Sequence, residues 1–232
     1  SALSYFVMEN KCKSNDAVCD KTALPSDNKQ PRVGVFGIGY DVYWKQFPGL
    51  EEEMKGKFRT FKEMLPAEVS VLDFGIVDSP ERAYEAVQQM QSGNLDLLFC
   101  DMLTYGTSGT FGTIARNIQA PIVLVALQPL QALDYGKAST YMQLMNDDIC
   151  AVPEFTGVAR RLGRPVPDVV IGTLYGDEQV HEEILEYCRI ARVLHDLKYA
   201  RLGHIGHPLN AMLDMHTDST ALTACFGCHT VE

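Results

Sequence analysis

Arg32-Val33-Gly34-Val35-Phe36-Gly37-Ile38-Gly39 is the stretch that decides the fold. It is a near-continuous apolar run that ends in glycines. Such a run suits a strand buried on both faces of a parallel sheet. The signature returns in Val69-Ser70-Val71-Leu72-Asp73-Phe74, in Leu95-Asp96-Leu97-Leu98-Phe99-Cys100 and in Pro121-Ile122-Val123-Leu124-Val125-Ala126-Leu127. Between these runs the spacing is helical. Residues 47–65 place Leu50, Met54, Phe58, Phe61, Met64 and Leu65 on one stripe. Glu51, Glu52, Glu53, Lys55, Lys57 and Lys62 fall on the opposite face, the three Glu where a helix dipole favours anions. Ser79-Pro80-Glu81 opens a further helix, with Ser as N-cap and Pro first, and residues 107–118 form another. Strands alternating with helices at this spacing imply right-handed βαβ units on a parallel sheet.

Away from this core the pattern loosens. The first thirty residues show no sustained period and read as an arm, in which the apolar Tyr5-Phe6-Val7-Met8 could dock. Beyond Gln128 two helices are expected, over 140–145 and 154–162, with a turn at Val152-Pro153. Arg164-Pro165-Val166-Pro167-Asp168 is a Pro-rich breaker and is taken as the domain boundary. Val169-Val170-Ile171-Gly172-Thr173-Leu174 is then a buried strand. Asp177 caps a long helix over 178–197, Arg201-Leu202-Gly203-His204-Ile205-Gly206 is a strand, and 219–226 is helical. The expected organisation is an arm at 1–30, an α/β domain at 31–166, and the start of a second α/β domain at 167–232. The fold class is α/β: a Rossmann-like or flavodoxin-like parallel-sheet domain followed by an incomplete second α/β unit. A sheet of two strands rarely stands alone. The chain is therefore expected to be the front of a longer protein, or to complete that sheet with another chain.

Composition narrows the function classes. Hydrophobic residues make up 46% of the 232, and charged residues 22%, as in ordinary globular proteins. Twenty Lys and Arg against thirty Asp and Glu leave a net charge of −10, a field that repels nucleic acid and anionic membranes. No apolar run approaches the length of a membrane span. The cysteines number seven, an odd count, and Cys100 and Cys188 sit in apolar periodic stretches where a thiol acts as a small hydrophobe. No basic-then-apolar leader opens the chain, so a reducing, cytoplasmic location is expected.

In open parallel sheets ligands sit beyond the carboxyl ends of the strands. Those ends are Gly39-Tyr40-Asp41, Asp101-Met102-Leu103-Thr104-Tyr105, Gln128, Tyr175-Gly176-Asp177 and Gly206-His207. They are polar, aromatic and glycine-rich, which suits hydrogen bonding to a small polar ligand. Gly and Asp also build plain βα turns, and that reading stands beside the functional one. Other chemistries fail on residues. Gly37-Ile38-Gly39 supplies two glycines of a dinucleotide fingerprint, but Val42 occupies the third position, and no glycine–lysine phosphate loop exists. No nucleophile elbow surrounds Ser108. All six histidines lie beyond residue 180, and His204, His207, Asp214, His216 and Asp218 could offer metal donors. The last three share a side only if their segment is extended, and a loop reads equally well. Cys225-Phe226-Gly227-Cys228-His229 matches a haem-attachment pattern. Its plainer reading is two small residues at a helix end.

The order of residues resembles the L-arabinose and L-fucose isomerases. The resemblance rests on Val33-Gly34-Val35-Phe36-Gly37, on Leu97 through Tyr105, on Pro121-Ile122-Val123-Leu124 and on Ala132-Leu133-Asp134-Tyr135. It continues in Val152-Pro153-Glu154-Phe155-Thr156-Gly157-Val158-Ala159-Arg160-Arg161, in Arg201 through Gly206 and in Met212-Leu213-Asp214-Met215. It implies the amino-terminal portion of a cytoplasmic, homo-oligomeric aldose–ketose isomerase that acts on a pentose or a 6-deoxyhexose. It also implies Mn2+ for the whole enzyme, with metal ligands downstream of the matched region and therefore no metal and no catalytic residue in this chain. The matched portion would line a neighbouring subunit's sugar pocket. Thr104 and Tyr105 match a Thr–aromatic pair at that pocket, and the loop after Gly206, with His207 and Leu209, matches one that approaches the sugar. The first loop departs from the family's Gly-Ser-Gln-x-Leu-Tyr-Gly run. Here Tyr40, Asp41 and Trp44 would be the replacement contacts. The alternative is a non-catalytic sugar- or metabolite-binding α/β module.

Overall fold

In the computed structural model, residues 30–207, 209 and 211–231 are described. The arm, with Cys12 and Cys19, lies outside them. One compact unit comprises Gln30–Arg192, and another includes Val193–Glu232.

The first unit is built on five parallel strands: β1 (Arg32–Ile38), β2 (Ser70–Val77), β3 (Leu97–Met102), β4 (Ile122–Gln128) and β5 (Asp168–Thr173). Their spatial order is β2-β1-β3-β4-β5, the doubly wound order of flavodoxin-like sheets. The expected Rossmann-like or flavodoxin-like architecture is present. The helices are α1 (Asp41–Gln46), α2 (Leu50–Glu63), α3 (Pro80–Ser92), α4 (Ser108–Asn117), α5 (Thr140–Met145), α6 (Val152–Arg161) and α7 (Glu178–Tyr199).

Two apolar layers sandwich the sheet because alternate strand residues face opposite ways. Val33, Val35, Leu97, Phe99, Val123, Val125 and Val170 meet Leu50, Met54, Phe58 and Phe61 of α2, Leu144 of α5, and Val180, Ile184 and Cys188 of α7. Phe36, Ile38, Leu98, Cys100, Met102, Leu124 and Ala126 meet Ala83, Val87 and Met90 of α3, Phe111 and Ile114 of α4, and Phe155 and Ala159 of α6. Phe111 and Phe155 stack at 4.4 Å with rings 3° from parallel, which joins α4 to α6. The Ser79 hydroxyl accepts a hydrogen bond from the Arg82 amide at 3.3 Å and Pro80 opens α3, as the residue pattern requires.

The helix expected over 47–65 is α2, and the left-handed Gly49 (φ 91°) separates it from the short α1, which was not expected. Two expectations change. Val152-Pro153 is no turn but the first turn of α6, where a proline costs no hydrogen bond. The boundary at 166/167 is a loop inside one unit. β5 pairs with β4 from Val123↔Asp168 to Gln128↔Thr173, so the strand assigned to a second domain completes the first sheet. Arg164 fastens that loop. Its guanidinium donates to the Ile118 carbonyl at 2.8 Å, the Gln119 carbonyl at 3.1 Å and Gln119 Oε1 at 2.9 Å. A Pro-rich segment breaks a helix without ending a domain when the strand after it finds an open sheet edge.

In the other unit, β6 (Arg201–Gly203) and β7 (His229–Val231) pair in parallel, and α8 (Ser219–Phe226) precedes β7. Asp218 caps α8, its carboxylate accepting from the Thr220 amide at 2.8 Å and the Ala221 amide at 3.1 Å. Gly227 ends the helix at φ 78°. Cys225 and Cys228 flank that end as free thiols, one exposed and one buried.

Candidate functional site

The chain leaves β1 toward β2 on one side and reaches β3 on the other, so the switch point of this sheet lies between the carboxyl ends of β1 and β3. Tyr40 precedes α1 there. Its ring meets the edge of Tyr43 at 5.2 Å and of Tyr105 at 6.2 Å, with interplanar angles of 83° and 86°. Tyr105, three residues beyond β3, donates its hydroxyl to Glu154 Oε2 at 3.3 Å. Glu154 Oε1 accepts from the Ser108 amide at 3.1 Å. Glu154 thus lies in the first turn of α6 and against the first residue of α4, where a carboxylate complements both helix dipoles. Desolvation raises the Tyr105 phenol, and Glu154 raises it further, so it is a neutral donor at physiological pH.

The segment between α5 and α6 forms the facing wall. The Cys150 thiol donates a hydrogen bond to the Asp147 carboxylate. Partial burial, then Asp147, Glu154 and Asp148, push that thiol up to about 12, so it is no ready nucleophile. Burial also raises Asp147, opposed by Cys150 and Lys57. Tyr43 is raised by burial and then by Asp147 and Cys150, which places all three at one locus. The wall is latched from behind. Asn146 accepts from Gln128 Nε2 at its carbonyl (3.0 Å) and from the Leu130 amide at its side chain (3.0 Å). Next to it, Asp148 accepts from the Lys57 ammonium, which also donates to the carbonyls of Met145 (3.1 Å) and Leu103 (3.3 Å).

Of the residues expected at a ligand, Tyr40 and Tyr105 are brought together. Thr104 is fully buried, its hydroxyl donating to the Tyr105 carbonyl at 3.0 Å, so it shapes the loop rather than its surface. Trp44 donates its indole N–H to Asp78 Oδ2 at 2.7 Å and covers Gly39. A Cβ at Gly39 would stand 2.9 Å from the Trp44 ring and 3.3 Å from the Thr104 hydroxyl, so this glycine is set by close approach. Trp44 and Asp78 border a cavity of about 490 Å³ beside the switch point, lined by the cations Lys55, Arg59, Lys62 and Arg82, of which Lys55, Lys62 and Arg82 are ion-paired. Asp41 is exposed at the first position of α1. His207 and Leu209 are exposed residues of the other unit. A larger cavity of about 590 Å³, lined by Pro31, Pro66, Val69, Leu185 and Cys188, opens at the amino ends of β1 and β2. The carboxyl-end crevice is the candidate nonetheless, because binding in open parallel sheets concentrates there.

Tyr43, Asp147, Cys150 and Glu154 were not expected at a site. The signal available for one of them, Asp147, was Asn146-Asp147-Asp148, a polar run inside an irregular stretch. Asp177, by contrast, is a turn residue. Its carboxylate accepts from the amides of Thr173 (3.1 Å) and Val180 (3.2 Å), and these bonds lower its pKa.

No family model and no curated protein matches this chain at a significant level. Among the described residues no group of three or more His, Cys, Asp or Glu is gathered to hold a metal ion, and no helix is long and apolar enough to cross a membrane.

Proposed function

We propose that the crevice at the carboxyl ends of β1 and β3 binds a pentose or 6-deoxyhexose, as the amino-terminal, pocket-lining part of an arabinose/fucose isomerase-like protein. One observation carries this reading: Tyr40, Tyr43 and Tyr105 meet edge to face, and Tyr105 is bonded to Glu154. A sugar presents C–H faces that pack on aromatic rings and hydroxyls that donate to carboxylates. The crevice offers both, together with the Asp147 carboxylate opposite. A charged phosphate ester fits poorly, because the groups facing Tyr43 and Tyr105 are acids. The manganese implied by the resemblance finds no three-donor set among the described residues, and no step is derived through it. The protein's part is to bind and orient the sugar in a cytoplasmic oligomer.

Calorimetric titration of the full chain with L-arabinose and L-fucose tests this. The expected outcome is saturable heat, abolished by Tyr105→Ala and by Glu154→Ala, at an affinity of about 1 mM. Heat that persists in both variants, or none with any aldose, overturns it. Turnover of either sugar in the presence of Mn2+ would move the chemistry into this chain.

A further inference from the structure

Beneath the crevice wall lies a buried charged set that the binding reading does not use. Lys57 of α2 is 6% exposed, Asp148 is fully buried and Asp101 of β3 is 3% exposed. The Lys57 ammonium bonds Asp148 Oδ1, while Asp148 Oδ2 and Asp101 Oδ2 have no hydrogen-bond partner. One cation and two carboxyl groups in a dry interior carry a net charge of −1 if both acids ionise. Burying an uncompensated charge is costly, and the set becomes neutral by holding one proton. The Lys57 contact keeps the charge on Asp148, which leaves the proton on Asp101.

We propose that Lys57, Asp101 and Asp148 form a one-proton lock that holds the crevice wall, residues 146–151, in place at neutral pH and releases it under alkaline conditions. The wall is what yields. Asp101 lies within a central strand and Lys57 within a helix whose neighbours are core residues, whereas 146–151 joins two helices and is held by the Asn146, Lys57 and Asp148 bonds. When the proton leaves, the cheapest way to solvate the second carboxylate is to draw this segment aside and admit water. The titratable groups that act on the pair are few. Lys57 faces both acids from α2, Asp148 faces Asp101, and Asp147 faces Asp148 along the wall. Cys100 adjoins Asp101 on β3. Cys150 belongs to the wall, and Tyr43 and Glu154 face it from the crevice. Burial pushes Asp101 up to about 8 and Asp148 up to about 7, in both cases against the pull of Lys57. This agrees with one proton held through neutrality. The device concerns the wall itself and does not depend on which ligand, if any, the crevice takes.

The test uses the full chain without ligand. Aspartate carboxyl carbons are titrated by carbon-13 NMR, and amide exchange is followed over residues 130 and 146–152 with intrinsic pH dependence removed. One aspartate is expected to titrate above about pH 6, far from the ordinary carboxylate range. Wall protection should fall about tenfold through the same midpoint. Asp101→Asn should remove both the high titration and the fall in protection. The proposal is overturned if every aspartate titrates below about pH 5, or if Asp101→Asn keeps the wild-type fall. Should that variant not fold, the wild-type curves decide alone, because midpoints that fail to coincide sink the lock.

Discussion

Lys57 and Asp148 stand 91 residues apart in the chain and form an ion pair from which solvent is almost wholly excluded. Through it α2 grips the segment that walls the crevice. Removing one partner leaves the other charge buried and unpaired, which typically costs about 3–5 kcal/mol. Lys57→Met is therefore expected to lower unfolding free energy in urea by that order. Lys57→Met combined with Asp148→Leu should recover much of the loss, since an apolar pair of similar volume fills the same space. A double variant as unstable as the single one would refute this account.

Stability should fall as pH rises from about 4 toward 8. Asp101 is pushed up to about 8 in the folded protein, mainly by desolvation, whereas an unfolded aspartate loses its proton near pH 4. Between those values the folded state binds the extra proton, so raising the pH favours unfolding until the folded group has also ionised. Each unit of upward shift is worth about 1.4 kcal/mol. Urea midpoints measured at pH 5.5 and 8.5 should differ in this direction, and Asp101→Asn should flatten the difference. A midpoint that rises with pH would contradict it.

Glu154 bonds both Tyr105 and the first amide of α4. Glu154→Gln keeps an acceptor but removes the charge at two helix starts. The expected destabilisation is about 1 kcal/mol. Tyr105 should titrate closer to the ordinary tyrosine value, because one of its two main causes of elevation is gone. Ultraviolet titration of phenolate formation, compared with Tyr105→Phe to assign the step, checks this.

Arg164 ties the α6–β5 loop to the carbonyls before β4. Arg164→Ala should cost about 2 kcal/mol, as several hydrogen bonds from a charged donor are lost. Arg164→Lys should rescue little, because an ammonium cannot reproduce the planar fork. Thermal melts of the three proteins decide the point.

The strand runs and the capped helix at Ser79 were legible because their signals are local: period, β-branching and turn chemistry all act within a few residues. Lys57 shows where this fails. It was assigned to the solvated face of its helix by its charge, yet Met54, Lys57, Phe58 and Phe61 share the buried stripe. The spacing allowed that placement. Only the presence of Asp148 on a distant segment makes it affordable. The crevice itself divides the same way. Tyr40 and Tyr105 follow strand ends and could be found by that rule, whereas Asp147, Cys150 and Glu154 reach it through chain folded back from beyond β4.

The sequence by itself determined a parallel α/β sheet, because buried strands and amphipathic helices are written in residue order. Tertiary structure decided which strand joins which edge, as β5 shows. It also decided which acids keep a proton, since charge in a dry interior depends on neighbours brought together by folding.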